Sequence, residues 1–538
     1  MIPVTPRGFR DILPEEALKR EEITDKVKAC FSAHGYLPVE TPLLEDRHSM
    51  ERATAVEDTP FQMFDDGGRL LILRSDLTLP IARLVATRMH ADESPVRLRY
   101  AAPIVRDTTV FMGKSRQVTQ LGIELIGQSG KKADVEVLSL LAESLNAAGL
   151  AGWRIVCGDV KLARAALDAA GIYGEDRTEV LRFIHRSDLV GLDVFLETLG
   201  ISENARRAVS QLMRVSGDAA ALDEATAILE SIGADTTGIE ELQVGFDAAR
   251  ELGFSDALSM DLSVLNSFDY YTGLVFEAHA PGLSAPLASG GRYDGVLAQW
   301  GVDAPAAGFS ISLDGLEEAI GACVEDRPLR IAVPKGSLFE ESVNVLESVG
   351  FDVSELRNPG RHLIIRTDDV EYIIVRASDA PAFVATGGAD CGICGRDSLI
   401  EANLDVVQLV DLGYGTCRFV VAEPAEAKGA ADAAYARRGT VRVATKYPRI
   451  TQRYYDRIGK QVDIITLHGN IELGPVVGLS DRIVDITATG TTLRENNLVI
   501  VDDVMECSAR FFANPVRVRC DARIRELARK LAALEGAE

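Results

Sequence analysis

Apolar positions in the first third of the chain switch between helical and strand spacing. Ile23, Val27, Cys30 and Phe31 fall at i, i+4, i+7 and i+8, which predicts one buried helix face ending near Gly35. Short apolar runs at Leu70–Leu73, 96–100 and 121–126 predict strands, and a helix is expected over about 133–148, closed by Gly149. Residues from about 172 to 251 are rich in Ala, Leu, Glu and Arg at helical spacing and read as a helical insertion. Strand patterns return at 257–264, Leu274–His279 and 290–294. At 323–328 charges and a proline break the periodicity, and a fresh β-α unit starts. Its strand is 329–333, its turn Pro334-Lys335-Gly336-Ser337, and Phe339, Val343 and Leu346 line a helix stopped by Gly350. Further strands at 370–375, 439–445, 462–467 and 482–486 alternate with helices, so an α/β part with a largely parallel sheet is expected. The Ala-rich stretch 424–438 reads as a connection between two lobes.

A length of 538 residues exceeds one core, so about three compact units are expected. Hydrophobic content of 47% with 26% charged residues is ordinary for a globular protein. No apolar run is long enough to cross a bilayer, and the opening MIPVTPRGFRDILPEE is too charged for a secretory signal, so a cytoplasmic protein is expected. A formal charge of −24 argues against a polynucleotide-gripping face, while local Arg, Lys and backbone amides can still hold small anions. The eight cysteines form no framework. Cys391-Gly-Ile-Cys394 lacks a second pair or nearby histidines, and its setting GGADCGICGRD reads as a buried strand with small core residues. No metal ligands are assigned.

The most informative chemistry lies in VDITATGTTLRENN. A β-type run stops at Thr487 and gives way to Ala488-Thr489-Gly490-Thr491-Thr492 before a helical turn. Backbone amides, hydroxyls and a glycine at such a turn make a phosphate cradle. Asp485, just upstream, can accept hydrogen bonds from sugar hydroxyls, so the combination suits a ribose 5-phosphate. An unliganded Thr-rich β-turn is the alternative reading of an isolated TGTT.

Five ordered segments then carry a resemblance: LRIAVPKGSLFEESVNVLESVGF, VRASDAPAFVATGGADCGICGRDSLIE, ATKYPRITQRYYDRIG, LHGNIELGPVVGLSDRIVDITATGTTLRENNL and ANPVR. Together they resemble the short form of ATP phosphoribosyltransferase across 329–538. The resemblance implies a two-lobe, periplasmic-binding-protein-like α/β fold, with lobes of 329–425 plus about 500–538 and of about 439–499. It implies attack of adenine N1 of ATP on C1 of phosphoribosyl pyrophosphate, with Mg²⁺ on the pyrophosphate. Asp485, Thr487, Thr489, Gly490, Thr491 and Thr492 would bind the sugar phosphate. Lys335 and Arg361 would serve catalysis at the leaving group, and Gly336, Ser337, Arg376 and Glu472 would line the ATP site. The family often has Arg at the position of Ser337. Ion pairing is the alternative for Arg361 and Arg376, and helix capping for Glu472. The chain ends soon after Leu534, so the extra domain of the long form is not expected.

Residues 1–322, followed by a linker at 323–328, resemble histidyl-tRNA synthetase and, more closely, the regulatory subunit that accompanies the short-form transferase. The segments are FSAHGYLPVETPLLE, LRSDLTLPIAR, RLRYAAPIVR, QLGIELIG, FDYYTG and SGGRYDGVL. A class II synthetase sheet, antiparallel with flanking helices, is implied. Asn266 and Gly315 stand where the synthetase has arginines, and Arg106 is followed by Asp-Thr-Thr without the usual glutamate. Each lost arginine removes a charge-assisted phosphate contact of about 1.5–3 kcal/mol, so adenylation is not expected. Asp76, Thr78, Arg106, Gln120, Glu124, Tyr270 and Tyr271 match residues placed around histidine. The whole chain reads as a fusion of the two components, inhibited by histidine, assembling as a dimer-based homo-oligomer and binding neither nucleic acid nor membrane. A non-catalytic two-lobe sensor and a tRNA-binding protein are the alternatives.

Overall fold

The computed structural model of the chain describes residues 4–51, 61–89, 95–106, 115–264, 270–321, 327–487 and 490–535. Thr489, Asn266 and the Asp-Thr-Thr after Arg106 lie outside these. The chain divides into two compact units, Met1–Asp326 and Arg327–Glu538.

In the first unit the described residues build a nine-stranded sheet. Its order is Leu37–Pro38, Val96–Val105, Gln117–Ile126, Ala306–Ser312, Ala288–Arg292, Leu274–His279, Arg154–Asp159, Leu258–Asp261 and Ser216–Gly217. The six strands from Val96–Val105 to Arg154–Asp159 pair antiparallel throughout, as the class II resemblance implies. Side chains alternate between faces. One face takes the helices Pro14–Ala33, with Ile23, Val27 and Phe31 buried, and Lys131–Ala147. Phe31 meets Phe309 edge to face, with centroids 5.8 Å apart. The opposite face, with Leu98, Tyr100 and Val275, packs against the helix Thr78–Arg88 through Ile81 and Val85. Arg292 of the SGGRYDG segment pins one helix to the sheet, donating to Asp134 Oδ1 at 2.8 Å and to the Gly130 carbonyl at 2.9 Å. Five helices between Gly174 and Leu252 occupy the expected insertion.

The second unit holds two mixed sheets rather than the largely parallel one expected. The first runs Ile364–Arg366, Val370–Arg376, Leu329–Lys335, Cys391–Gly395, Ala509–Ala513, Val407–Asp411. The second runs Val462–Thr466, Val441–Thr445, Arg482–Thr487, Cys417–Pro424, Leu498–Cys507. Helical crossovers keep three strands parallel within each, but the strands entering and leaving the second lobe join antiparallel. That also corrects the lobe limits. Strands Cys417–Pro424 and Leu498–Cys507 pair into the second sheet, so the chain crosses near 412–416 and again at Ser508, not near 425–439 and 500. The Ala-rich stretch is no connection either. Its helix Ala430–Arg438 docks on the second lobe through buried Ala431 and an ion pair from Arg482 to Asp432 of 2.7 Å. Cys391 and Cys394 are fully buried on opposite faces of their strand, and burial pushes both thiols up, as core residues require.

Candidate functional site

The first unit carries a small pocket on the sheet face that bears Gln120 and Glu124. Strand period places Gln120, Gly122 and Glu124 on that face, with Gly308 and Ser310 opposite them in register. Glycines hollow the floor. A Cβ at Gly308 would lie 2.2 Å from Glu124 Oε2, and one at Gly122 would lie 2.3 Å from the Tyr100 hydroxyl. Asp76, Thr78, Arg106, Gln120, Tyr270 and Tyr271 line the hollow. Glu124 is held at its edge by hydrogen bonds from Thr78 Oγ1, at 2.8 Å, and from the Tyr293 hydroxyl. The structure thus brings together all seven residues singled out from the sequence. It adds Tyr293 and Ser310, which the sequence reading missed. Ser310 Oγ accepts from Gln120 Nε2 at 3.2 Å, and Gln120 Oε1 is buried with no partner among the described residues.

The electrostatics favour a cationic guest. Burial pushes the Glu124 carboxyl up to about 8, against the Tyr293 and Thr78 hydrogen bonds that hold it down. Asp76 is also raised by burial, eased by the Leu79 amide at 3.0 Å and by the charge of Arg106. Two carboxyl groups that burial pushes toward their neutral forms stand beside an amide oxygen with no partner among the described residues, so an ammonium or N–H donor would restore what burial withholds.

A second hollow, about 240 Å³ and on the sheet face that carries the helix Pro14–Ala33, is lined by Arg10, Arg20, Ser115, Gln117, Thr119 and Asp314. Its cations are committed internally. Arg20 pairs with Asp314 at 2.9 Å and with Glu317 at 3.1 Å, and Arg10 pairs with Glu16. Beside them the Gly315 amide donates to Ser312 Oγ, and a Cβ at Gly315 would come within 3.0 Å of Leu287.

In the second unit the remaining residues gather at the carboxyl ends of two sheets, the usual ligand end of α/β sheets. On the first lobe Lys335 and Arg376 are register partners at the ends of adjacent parallel strands. Gly336 follows with φ +110°, in the left-handed region that favours glycine. Arg361 precedes the strand Ile364–Arg366, which runs antiparallel to Val370–Arg376, so it lies at the same end. All three cations are exposed, and none has an ion-pair partner among the described residues. The salt-bridge alternative for Arg361 and Arg376 is therefore not what the structure shows. Ser337 is exposed in the same turn.

On the second lobe the strand Arg482–Thr487 leads into the turn, and Gly490, with φ +72°, caps the short helix Thr491–Glu495. Thr487 Oγ1 accepts from the Gly490 amide at 2.8 Å, so that donor is already engaged. Thr491 and Thr492 stand exposed, and Arg494, missed from sequence, folds back to Thr491 Oγ1 at 3.2 Å. Asp485 is raised to about 6 by burial and by Glu472, and Lys446 draws it down, so these three charges share one locality. Glu472 occupies an N-cap position but makes no capping hydrogen bond. The lobes touch beside this end, where the Ile450 amide donates to Glu401 at 2.8 Å and Arg449 to the Glu401 carbonyl at 2.9 Å.

A class II synthetase-like unit joined to a two-lobed α/β unit defines the class of protein. The histidyl-tRNA synthetase family pattern matches residues 8–316, and that of ATP phosphoribosyltransferase matches residues 376–533. An ATP phosphoribosyltransferase regulatory subunit of Moorella thermoacetica is 36% identical over 61% of this chain and 84% of its own length. An ATP phosphoribosyltransferase of Rubrobacter xylanophilus is 50% identical over 35% of this chain and 87% of its own. A crystal structure of an ATP phosphoribosyltransferase regulatory subunit/histidyl-tRNA synthetase from Bacillus halodurans C superposes with a TM-score of 0.56 at 28% identity, covering 70% of this chain and 99% of that one. The chain belongs to the ATP phosphoribosyltransferase family, with a regulatory-subunit part and a transferase part in one polypeptide. No described helix is long and apolar enough to cross a membrane.

Proposed function

We propose that the C-terminal unit joins ATP to phosphoribosyl pyrophosphate and that the N-terminal unit senses histidine and restrains it. The observation that carries the transferase reading is a pairing of two sheet ends. Lys335, Arg361 and Arg376 stand on one lobe with no counter-ion among the described residues, and a Thr-Gly turn with Asp485 behind it stands on the other. Two lobes joined by two crossings support a periplasmic-binding-protein-like arrangement with the substrates between them.

The adenine N1 lone pair forms the bond to C1 while the C1–O bond breaks, and its electrons leave on pyrophosphate. No enzyme nucleophile is required, so orientation and charge carry the rate. The turn, with the hydroxyls of Thr487, Thr489, Thr491 and Thr492, anchors the 5-phosphate, and Asp485 accepts from the ribose hydroxyls. Lys335 and Arg361 meet the departing charge. Gly336, Ser337 and Glu472 border the nucleotide, and Arg376, beside Lys335, supplies the cation that Ser337 lacks. The first-lobe cluster offers cations rather than carboxylates, which fits Mg²⁺ arriving as part of the pyrophosphate and keeping its water.

The carboxyl pair, Gln120 and Arg106 of the first unit suit the ammonium, imidazole and carboxylate of histidine. Asn266 and Gly315, in place of the synthetase's arginines, argue against aminoacylation. We further propose cytoplasmic residence and a dimer-based homo-oligomer.

The test is one assay. Purified protein with ATP, phosphoribosyl pyrophosphate and Mg²⁺ yields phosphoribosyl-ATP, and added histidine lowers the rate. Absence of product removes the transferase reading, and turnover undiminished in excess histidine removes the sensor. The acid limb of kcat/KM for phosphoribosyl pyrophosphate is expected near pH 6. Asp485 takes up its proton as pH falls through that value and ceases to be a purely accepting carboxylate. Asp485→Asn abolishes this limb along with most of the rate. A limb left in place by that substitution assigns it to another group.

A further inference from the structure

A cluster used by neither site lies where the helix Pro14–Ala33 packs against Lys131–Ala147. Cys30 on the first helix and His34 at its C-cap are one turn apart, so both side chains reach the same side. Glu143 meets them from the second helix. The Cys30 thiol sulfur, a ring nitrogen of His34 and a carboxylate oxygen of Glu143 all lie within 4.8 Å of one another. His34 Nε2 is 2.7 Å from Glu143 Oε2, and Ser144 Oγ donates to Cys30 Sγ at 3.7 Å.

We propose that Cys30, His34 and Glu143 form a zinc(II) site. A histidine–carboxylate pair explains two of these groups but not the third. The half-buried thiol of Cys30 sits against the Glu143 carboxylate. A dication offsets the repulsion between thiolate and carboxylate. One thiolate, one carboxylate and Zn²⁺ sum to zero charge, with the imidazole neutral. Thiolate with imidazole selects a borderline-soft ion over Mg²⁺ or Ca²⁺. Tetrahedral ligands around zinc lie roughly 3–4 Å apart, so the His34–Glu143 pair opens slightly and the thiol sulfur closes by at most about an ångström, leaving a fourth position for water. On binding, the S–H bond of Cys30 breaks, its proton goes to solvent and the sulfur lone pair goes to the metal. His34 gives up the Nε2 proton that it shares with Glu143, carries its ring proton on Nδ1 instead and offers the Nε2 lone pair to the metal. The ion would clamp the first helix to the second, on the sheet face opposite the histidine-type pocket.

The test uses the metal-free, tag-free full chain titrated with Co²⁺ and then Zn²⁺. One equivalent of Co²⁺ per chain should give a thiolate-to-cobalt charge-transfer band with tetrahedral ligand-field intensity, bleached by Zn²⁺. Cys30→Ser removes the charge-transfer band, and His34→Ala, at an exposed position, weakens Zn²⁺ binding by about 100-fold or more. Zn²⁺ raises the melting temperature of the parent chain but not of His34→Ala, and the metal-free melting curve of each variant reports that it is folded. No charge-transfer band, or a band that survives in folded Cys30→Ser and so comes from another cysteine, overturns the proposal.

Discussion

Replacing Thr491 and Thr492 together by Val weakens phosphoribosyl pyrophosphate binding by roughly 100-fold or more and leaves ATP binding nearly intact. Two hydroxyl donors to an ionised phosphate contribute about 1.5–3 kcal/mol each, and every 1.4 kcal/mol is tenfold. Val keeps the β-branched shape, and both positions are exposed at a helix start, so the turn itself survives. The substitution also strips the hydroxyl that accepts from Arg494. Arg494→Gln, measured alone, separates that contribution from the direct one. Binding of each substrate by calorimetry checks the assignment, and equal weakening for both contradicts a site built for the sugar phosphate.

The pocket residues were legible because each sits in a short motif whose local geometry is simple. Gln120 and Glu124 are four apart on a strand and must share a face, and Asp76 precedes the helix it helps to start. Tyr293 was less legible. It lies inside the SGGRYDG segment, but its contact to Glu124 depends on how three strands line up, which no local spacing encodes. Gly122, Gly290, Gly291 and Gly308 carried a usable signal, since glycine within a strand marks close approach. The lobe limits failed for a related reason. RFVVAEP and LVIVDDV have the apolar composition of strands, yet which sheet they join is a matter of pairing partners, not composition. Lys446 and Arg494 look like solvated charges in sequence, and only the convergence of strand ends places them beside Asp485 and the turn.

The pocket of the first unit leads to the second large effect. Asp76→Asn with Glu124→Gln should abolish inhibition by histidine at concentrations that silence the parent enzyme, while phosphoribosyl-ATP formation continues. Losing a charged hydrogen-bonded partner costs about 1.5–3 kcal/mol each, so the combined loss of affinity is roughly 100-fold or more. The single change Glu124→Gln has a pH signature. Because the carboxyl is raised to about 8 in the empty pocket, it is largely protonated below that value, and Gln then resembles it closely. An ammonium guest favours the ionised form, so binding expels the proton and parent affinity climbs as pH rises toward 8. The gap between parent and Glu124→Gln should therefore be small near pH 6, widen toward pH 8 and level off above it. A gap independent of pH would assign proton release to another group. Reciprocity supplies a check on the coupling: if histidine weakens substrate binding by some factor, saturating substrates must weaken histidine binding by the same factor. A histidine affinity unmoved by both substrates would confine any inhibition to turnover rather than binding.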